Sequence, residues 1–273
     1  MTDFFGVSLD YISGRTTNPS PIQHEISPFT HNHCLNHFST WTDLQDMGLA
    51  FFPIGSLEQH GPHLPIGTDS FIAQSIASGL SKKFPNSFVV PTLPYSSSFE
   101  HIGFPGAISL RSTTIISVVQ DVIHSLERMG IQKIVLVNGH GGNYLLGNIA
   151  QEMNVDKPYV FVTPNRHHWD RAYEKAELSI SISRDMHAGE GETSILLHLI
   201  EEGIIPSSVK PDKYMDVDSP NRPLLQAIGM RPYTSTGAIG FPTRASSRKG
   251  KLLLQELINQ ISITVEEFLG DKH

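Results

Sequence analysis

A loop rich in glycine and proline joins an apolar strand to a helix, and it is the most constraining feature of the sequence. The loop spans residues 53–69, PIGSLEQHGPHLPIGTD, and follows an apolar run at 49–52 that predicts a buried strand. Residues 70–84 predict a helix. Four side chains of the loop are possible metal ligands: Glu58, His60, His63 and Asp69. Carboxylates and imidazoles on a stiff loop predict a site for a hard or borderline metal ion.

The spacing of Glu58 and His60 predicts how their side chains are arranged. If the strand continues through both residues, their side chains share one face, with Cα atoms about 7 Å apart. Such a pair can hold two neighbouring ions, or two positions on one ion. Thr68 or Asp69 can also cap the following helix, so capping is the structural alternative for Asp69.

Length, charge and composition restrict the class of protein. The chain has 273 residues, 39% of them hydrophobic and 17% charged, which predicts one large globular domain. A formal net charge of −7 argues against a nucleic-acid partner. No apolar run is long enough to span a membrane, and the N-terminus does not have the pattern of a signal peptide. A single cysteine, Cys34, suits a reducing compartment, so we expect a cytoplasmic protein.

The N-terminal region differs in composition from the rest. Residues 1–40 are rich in proline, serine, threonine, asparagine and histidine, which predicts an irregular arm. Residues 41–273 predict a single domain, because no linker or repeat divides them. The histidines at 31–37, HNHCLNH, match none of the usual zinc spacings, so surface histidines are the preferred interpretation.

A glycine-rich turn follows the cleanest buried strand of the chain. That strand is predicted at 133–137, the turn is NGHGGN at 138–143, and a helix is predicted to start at Tyr144. A turn between a parallel strand and a helix lies at the carboxyl edge of the sheet, where open α/β sheets bind ligands. The turn is neither a dinucleotide fingerprint nor a phosphate loop. His140 is therefore the informative residue, with a structural hydrogen bond as the alternative role.

A second acidic segment precedes another helix. It reads DMHAGEGETS at 185–194. Acidic residues are favoured at a helix start by the macrodipole alone, which is the structural alternative for Glu190 and Glu192. His187 has no such alternative.

Two further loops are interpreted as sides of a substrate pocket. The first, at 95–106, contains His101, and the second, at 165–170, contains Trp169. Long ordered loops in compact domains are often functional, although a plain surface loop is the alternative for each.

The remaining pattern predicts the helices that surround the strands. A short capped helix is predicted at 40–44, an amphipathic helix at about 112–129, and a closing helix at 249–269. Further strands are predicted at 88–90 and 159–163, and residues 206–248 are predicted to be irregular.

Candidate ligands from three segments thus share one predicted sheet edge. Three carboxylates and up to three imidazoles make one or two ions plausible, with Asp69 as a candidate bridge. Two ions about 3.5–4 Å apart would hold a hydroxide and polarise a carbonyl. The residues alone predict metal-assisted hydrolysis.

Five motifs in register resemble the creatininase (creatinine amidohydrolase) family. They are PIGSLEQHGPHLPIGTD, EHIGFPGAISL, NGHGGN, HAGEGETS and the closing GAIGFPTRAS with KG two residues later. The resemblance covers about residues 40–270. It implies a three-layer α/β/α sandwich around a mainly parallel sheet, a dinuclear metal site and a homo-hexamer.

The resemblance also implies a role for each matching residue. Glu58 and His140 would hold one ion, His60 would hold the other, and Asp69 would bridge them. Zinc is the expected metal, with manganese or iron as alternatives.

The chain departs from true creatininases in the NGHGGN turn. True creatininases carry a glutamate two positions after the histidine, where this chain has Gly142, and an aromatic residue in place of Gly141. We therefore expect Glu192 to take over as ligand of the second ion and the substrate to differ from creatinine itself. His187 matches the catalytic histidine of the family, which delivers a proton to the leaving nitrogen.

The resemblance implies a metal-dependent amidohydrolase. A metal-bound hydroxide would attack a small amide, a creatinine-like cyclic amide or a formamide, and N–H groups of Gly141 and Gly142 would stabilise the oxyanion. His101 and Trp169 are predicted to line the pocket. Two alternatives stay open: a peptidase acting on a modified cofactor-precursor peptide, and a non-catalytic metal-bound protein. Relatives include formamide deformylases of pyrimidine intermediates and such a peptidase.

Overall fold

The structure is a computed structural model that describes residues 35–270. Most of the arm predicted at 1–40, including its histidines at 31–33 and Cys34, lies outside the described residues. Within 35–270, no helix is both long enough and apolar enough to cross a membrane.

Four parallel strands form the central sheet, in the order β2-β1-β3-β4. The strands are β1 (Leu49–Ile54), β2 (Ser87–Val89), β3 (Lys133–Asn138) and β4 (Val160–Thr163). All six residues of β1 are buried. Apolar residues on both faces are expected of a parallel strand covered by helices on each side.

In the part of the chain that the structure describes, four helices alternate with the strands, and three more follow them. They are α1 (Thr68–Ser81), α2 (Ser112–Arg128), α3 (Leu145–Met153), α4 (Arg166–Lys175), α5 (Glu190–Glu201), α6 (Leu225–Ile228) and α7 (Ser247–Leu269). Short 3-10 segments lie at Phe99–His101, Pro211–Lys213 and Pro242–Arg244.

Two hydrophobic cores lie on opposite faces of the sheet. One face of β1 and β3, which includes Phe51 and Val135, packs against α1, α4, α5 and α7. The other face, which includes Phe52 and Leu136, packs against α2 and α3. The predicted three-layer α/β/α sandwich around a parallel sheet is therefore confirmed.

Three local predictions are wrong. The helix predicted at 40–44 is a series of turns over 41–46, in which Asp43 accepts a hydrogen bond from the Thr40 N–H at 2.7 Å. Neither Thr68 nor Asp69 caps α1, because the N-cap is Gly67. The loop predicted at 165–170 is the start of α4.

A reciprocal pair of hydrogen bonds marks the start of α4. The Asn165 side chain accepts from the His168 N–H, and His168 Nδ1 accepts from the Asn165 N–H, each at 3.1 Å. This reciprocal pair is a capping box with histidine in place of the usual glutamate.

The closing motif holds α5 against α7. Glu190 is fully buried and forms an ion pair with Lys249, so its role is structural. Gly250 allows the close approach of the two helices, because a Cβ atom there would lie 1.9 Å from the Ser194 carbonyl oxygen. The lysine and glycine of the motif therefore serve the packing of α5, whose first turns carry Glu192.

The helix contact predicts a clear result for Gly250→Ala. The added methyl group overlaps backbone, so we expect a loss of about 1–3 kcal/mol in the free energy of unfolding by urea. Gly147→Ala is the matched control, because its Cβ meets nothing within 4 Å on an exposed side of α3. That variant should gain about 0.5–1 kcal/mol from helix propensity. Equal stability of the two variants would contradict this account of the α5–α7 contact.

Candidate metal centre

The carboxyl ends of β1 and β3 bring two of the predicted loops together. Ile54 and Asn138 are partners in the parallel register, so the segments 55–60 and 139–143 leave the sheet side by side. Both segments begin with a glycine that lies against the first turn of α1. A Cβ at Gly55 would come within 2.6 Å of Ser70 Cα, and one at Gly139 within 2.3 Å of the Asp69 carbonyl oxygen. Only glycine permits these approaches.

Asp69 lies at the centre of the candidate ligands. Its side chain projects from the first turn of α1, where the macrodipole favours a carboxylate. Oδ1 is 3.0 Å from His60 Nε2, and Oδ2 is 3.1 Å from His140 Nδ1. The Ser56 hydroxyl donates to Oδ2 at 2.6 Å. Asp69 therefore offers one oxygen to each of two histidines.

Two groups of possible ligands share Asp69. Glu58, Asp69 and His140 form the first group, and His60, Asp69 and Glu192 form the second. Within each group the ligand atoms lie within 4.8 Å of one another. The predicted ligands Glu58, His60, Asp69, His140 and Glu192 are thus all brought together.

The reason predicted for the proximity of Glu58 and His60 was wrong. Strand β1 ends at Ile54, so these residues do not share the face of a strand. They lie instead in an irregular turn, in which the Glu58 carbonyl oxygen accepts from His60 Nδ1 at 3.2 Å. This hydrogen bond leaves Nε2 of His60 free to face Asp69 and Glu192.

A matching hydrogen bond orients His140. Its Nε2 donates to the Ser97 carbonyl oxygen at 2.8 Å. The proton therefore lies on Nε2, and Nδ1 faces the carboxylates of Glu58 and Asp69. Hydrogen bonds of this kind fix the tautomer of histidines that bind metal ions.

The three carboxylates of the two groups have only histidines to balance their negative charge within residues 35–270. Glu58, Asp69 and Glu192 have no lysine or arginine partner within residues 35–270; their ion-pair partners there are histidines. Buried charges are stable only when paired or bound to a metal ion. The cluster therefore favours the binding of cations.

The pKa values of two histidines reflect this attraction. Burial opposes protonation of His60, but Asp69, with smaller contributions from the other carboxylates, raises its pKa to about 10. Burial also opposes protonation of His140, yet Glu58 and Asp69 raise its pKa well above the usual value. Protons held this firmly occupy the positions where divalent cations would bind.

Glu58 offers the clearest test of whether the residues present fit a metal ion. Its side chain is fully buried, and neither carboxylate oxygen has a hydrogen bond of good geometry within the described chain. The nearest donors are His101 Nε2 at 3.2 Å and His140 Nδ1 at 3.3 Å. Unsatisfied buried oxygens beside imidazole nitrogens are the donor set that zinc and manganese accept. The residues present therefore fit a metal ion.

His187 lies beside this cluster. It is held by paired backbone hydrogen bonds with Ile239, and its ring centroid is 4.2 Å from that of His60. Burial, together with the neighbouring histidines His60 and His101, lowers its pKa well below the usual value, so the ring is neutral. With Glu58 and His60 it forms a third possible ligand group.

A cavity of about 650 Å³ opens over the cluster. The residues predicted to line the pocket, namely Gly141, Gly142, His101 and Trp169, all line it. Trp169 reaches it from α4, whose first turn replaces the predicted loop. The N–H groups of Gly141 and Gly142 make no hydrogen bond to any residue between 35 and 270, so both are free to donate.

His101 does more than line the pocket, because it lies beside the candidate ligand Glu58. Its side chain is 2% exposed and approaches Glu58, as described above. Burial lowers its pKa to about 4. His63, in contrast, belongs to none of the ligand groups: its Nε2 is 3.2 Å from Thr193 Oγ1, and burial lowers its pKa to about 4.

Asp185 supports the centre and was missed in the sequence. Oδ1 accepts from the N–H groups of Glu190 at 2.7 Å and Phe241 at 3.1 Å. Oδ2 accepts from Gly191 N at 2.8 Å and the Tyr173 hydroxyl at 3.1 Å. One buried carboxylate thus ties α4, the start of α5 and the closing motif together. Its position two residues before His187 was the available signal.

Comparison with known proteins identifies the family. The family model for creatininase, described as creatinine amidohydrolase, matches residues 37–265. The chain therefore belongs to the creatininase family, whose members are hydrolases.

Individual relatives differ in what they act on. A mycofactocin precursor peptide peptidase of Mycolicibacterium smegmatis is 27% identical, over 82% of this chain and 87% of its own length. A creatinine amidohydrolase of Pseudomonas putida is 27% identical, over 79% of this chain and 87% of its own length. A crystal structure of creatininase aligns with a TM-score of 0.74 and 23% identity, covering 87% of this chain and 99% of that one. Further creatininase structures are described as manganese and zinc–zinc forms.

The hydrogen bonds of Asp185 predict the effect of Asp185→Asn. The amide can accept at one end only, so at least one buried N–H or hydroxyl loses its partner. We expect the free energy of unfolding, measured in the presence of a chelator, to fall by about 2–4 kcal/mol. Asp121→Asn, on the exposed side of α2, is the control and should change it by less than about 0.5 kcal/mol. A similarly small change at Asp185 would remove it from the support of the centre.

Proposed function

We propose that this protein is a metal-dependent amidohydrolase that cleaves a C–N bond of a small amide, cyclic amide or formamide. The observation that supports this proposal most strongly is the pair of ligand groups that share Asp69 beside the cavity. Membership of the creatininase family supports the reaction class.

We assign two divalent ions to the two groups. Glu58 and His140 would hold one ion, His60 and Glu192 the other, and Asp69 would bridge them. Zinc is the preferred metal, because imidazole and carboxylate ligands suit it, and manganese or iron are alternatives. When bound, such ions supply Lewis-acid polarisation of the carbonyl and activation of a water molecule.

The protein's own groups supply the remaining steps. Nε2 of His187 donates to the Gln59 carbonyl oxygen at 2.7 Å, so Nδ1 of the neutral ring carries no proton. Nδ1 accepts a proton from the attacking water and delivers it to the leaving nitrogen. The free N–H groups of Gly141 and Gly142 donate to the developing oxyanion. As the C–O bond forms, the C–N bond breaks and gives a carboxylic acid and an amine, which remain in one molecule when the substrate is a cyclic amide.

A peptidase is the second candidate. The cavity volume of about 650 Å³ exceeds the need of a small cyclic amide and falls in the range that holds drug-sized ligands. Relatives that act on a precursor peptide support the same candidate. Two further statements remain predictions: that the substrate is a small molecule, and that the protein assembles as a hexamer.

The two-ion assignment predicts the metal content of Glu192→Ala. Removing this carboxylate leaves the second ion with two protein ligands, so the wild type should retain about two zinc ions per chain and the variant about one. Elemental analysis of protein purified without a His-tag or chelator measures both. Glu152→Ala, an exposed carboxylate on α3, is the control and should keep the wild-type content. Two ions in Glu192→Ala would show that this residue is no ligand.

The proton-transfer role predicts a different effect for His187→Ala. Turnover should fall by about 10²–10⁴-fold, while metal content and melting temperature remain those of the wild type. His124→Ala, on the exposed side of α2, should keep full turnover. If His187→Ala loses an ion instead, His187 acts as a metal ligand, as its grouping with Glu58 and His60 allows.

A substrate panel separates the two candidate functions. Zinc-loaded protein would be incubated with creatinine, linear amides, formamides and short peptides, and the released amine would be measured. We expect the highest kcat/KM on a non-peptide amide or formamide. Cleavage confined to peptides would establish the peptidase instead, and no release from any compound would contradict the amidohydrolase.

A further inference from the structure

Gln59 lies between two proposed metal ligands in the sequence, yet it belongs to none of the ligand groups. Its side chain is 6% exposed and is enclosed by segments far apart in the chain. It contacts the backbone at Gly61 and Gly237 and the rings of His101 and His187. A buried amide with this many partners has a defined orientation.

Two backbone groups fix that orientation. Gly61 N–H donates to Gln59 Oε1 at 2.8 Å, and Gln59 Nε2 donates to the Gly237 carbonyl oxygen at 3.1 Å. An N–H can only donate and a carbonyl can only accept, so the reversed amide would oppose donor to donor and acceptor to acceptor. Gly237 is required here, because a Cβ atom would lie 1.8 Å from Gln59 Oε1.

The fixed amide determines the tautomer of His101. The second hydrogen on Gln59 Nε2 points to His101 Nδ1, at 2.9 Å. Nδ1 must therefore accept, and the proton of the neutral ring lies on Nε2. That N–H faces Glu58 Oε1 at 3.2 Å. His101 thus presents a donor to the ligand cluster.

The main chain of Gln59 determines the tautomer of His187. His187 Nε2 lies 2.7 Å from the Gln59 carbonyl oxygen, which only accepts, so Nε2 carries the proton. Nδ1 is then bare and faces Glu58 Oε1 at 3.7 Å. The two imidazole rings lie side by side, with centroids 4.6 Å apart.

We propose that Gln59 is a positioning residue that sets His101 as a hydrogen-bond donor and His187 as a proton acceptor at the same edge of the ligand cluster. The inference rests on the proposed function, in which His187 must begin each cycle with a bare Nδ1. The N–H of His101 faces Glu58 Oε1, while Glu58 Oε2 lies 3.3 Å from His140 Nδ1. One glutamine therefore prepares both the proton acceptor and a proposed metal ligand.

Gln59→Glu tests the inference through the histidine tautomers. The carboxylate cannot donate to His101 Nδ1, so that nitrogen must take up a proton. Long-range ¹H–¹⁵N spectra of zinc-loaded protein labelled in the histidine rings distinguish the tautomers, and His101→Gln assigns the signals. In the wild type we expect His101 to be protonated on Nε2 only. In Gln59→Glu we expect a proton on Nδ1, and kcat about 10–100-fold lower.

A control variant and the wild-type spectrum complete the test. Gln151→Glu adds the same charge on the exposed side of α3 and should leave the His101 signals and kcat unchanged. His101 protonated on Nδ1 in the wild type, or unchanged signals in Gln59→Glu, would overturn the inference. The wild-type spectrum decides the question even if Gln59→Glu does not fold. Either failure leaves the metal count and the His187→Ala result untouched, so failure of the proposed function is seen separately.

Discussion

The grouping of three carboxyl groups, those of the buried Glu58 and Asp69 and the half-buried Glu192, is the constraint on which the rest of the centre depends. These carboxylates come from two segments of the chain, 53–69 and 185–194, and have only histidines as ion-pair partners within residues 35–270. These carboxylates raise the pKa values of His60 and His140 above the usual range for histidine. A fold that gathers uncompensated carboxylates under a cavity pays for them in stability, and cation binding offsets that cost.

The framework around this charge consists of close backbone approaches and buried hydrogen bonds. The parallel register of β1 and β3 sets two ligand loops side by side, and Gly55 and Gly139 allow both loops to touch the start of α1. Asp185 gathers four donors at the start of α5, and Gly250 lets α7 close on that helix. The placement of the candidate ligands therefore depends on residues that belong to none of the ligand groups.

Much of the fold and of the candidate centre could be predicted from the sequence. Apolar periodicity located the strands and most helices, and the motifs contained the residues that the structure brings together. Pattern alone could not assign Gln59, whose partner at Gly237 is 178 residues away. Nor could it place His101 beside Glu58, because this contact depends on how a loop folds back over the sheet. The helix at α4 was missed because histidine replaces glutamate in its capping box.

Anomalous diffraction from crystals grown with zinc or manganese tests the central claim most directly. The account predicts two peaks on either side of Asp69, one beside Glu58 and His140 and the other beside His60 and Glu192. A single peak would contradict the two-ion centre. A peak bound by His187 Nδ1 would contradict the role of that histidine as the proton acceptor.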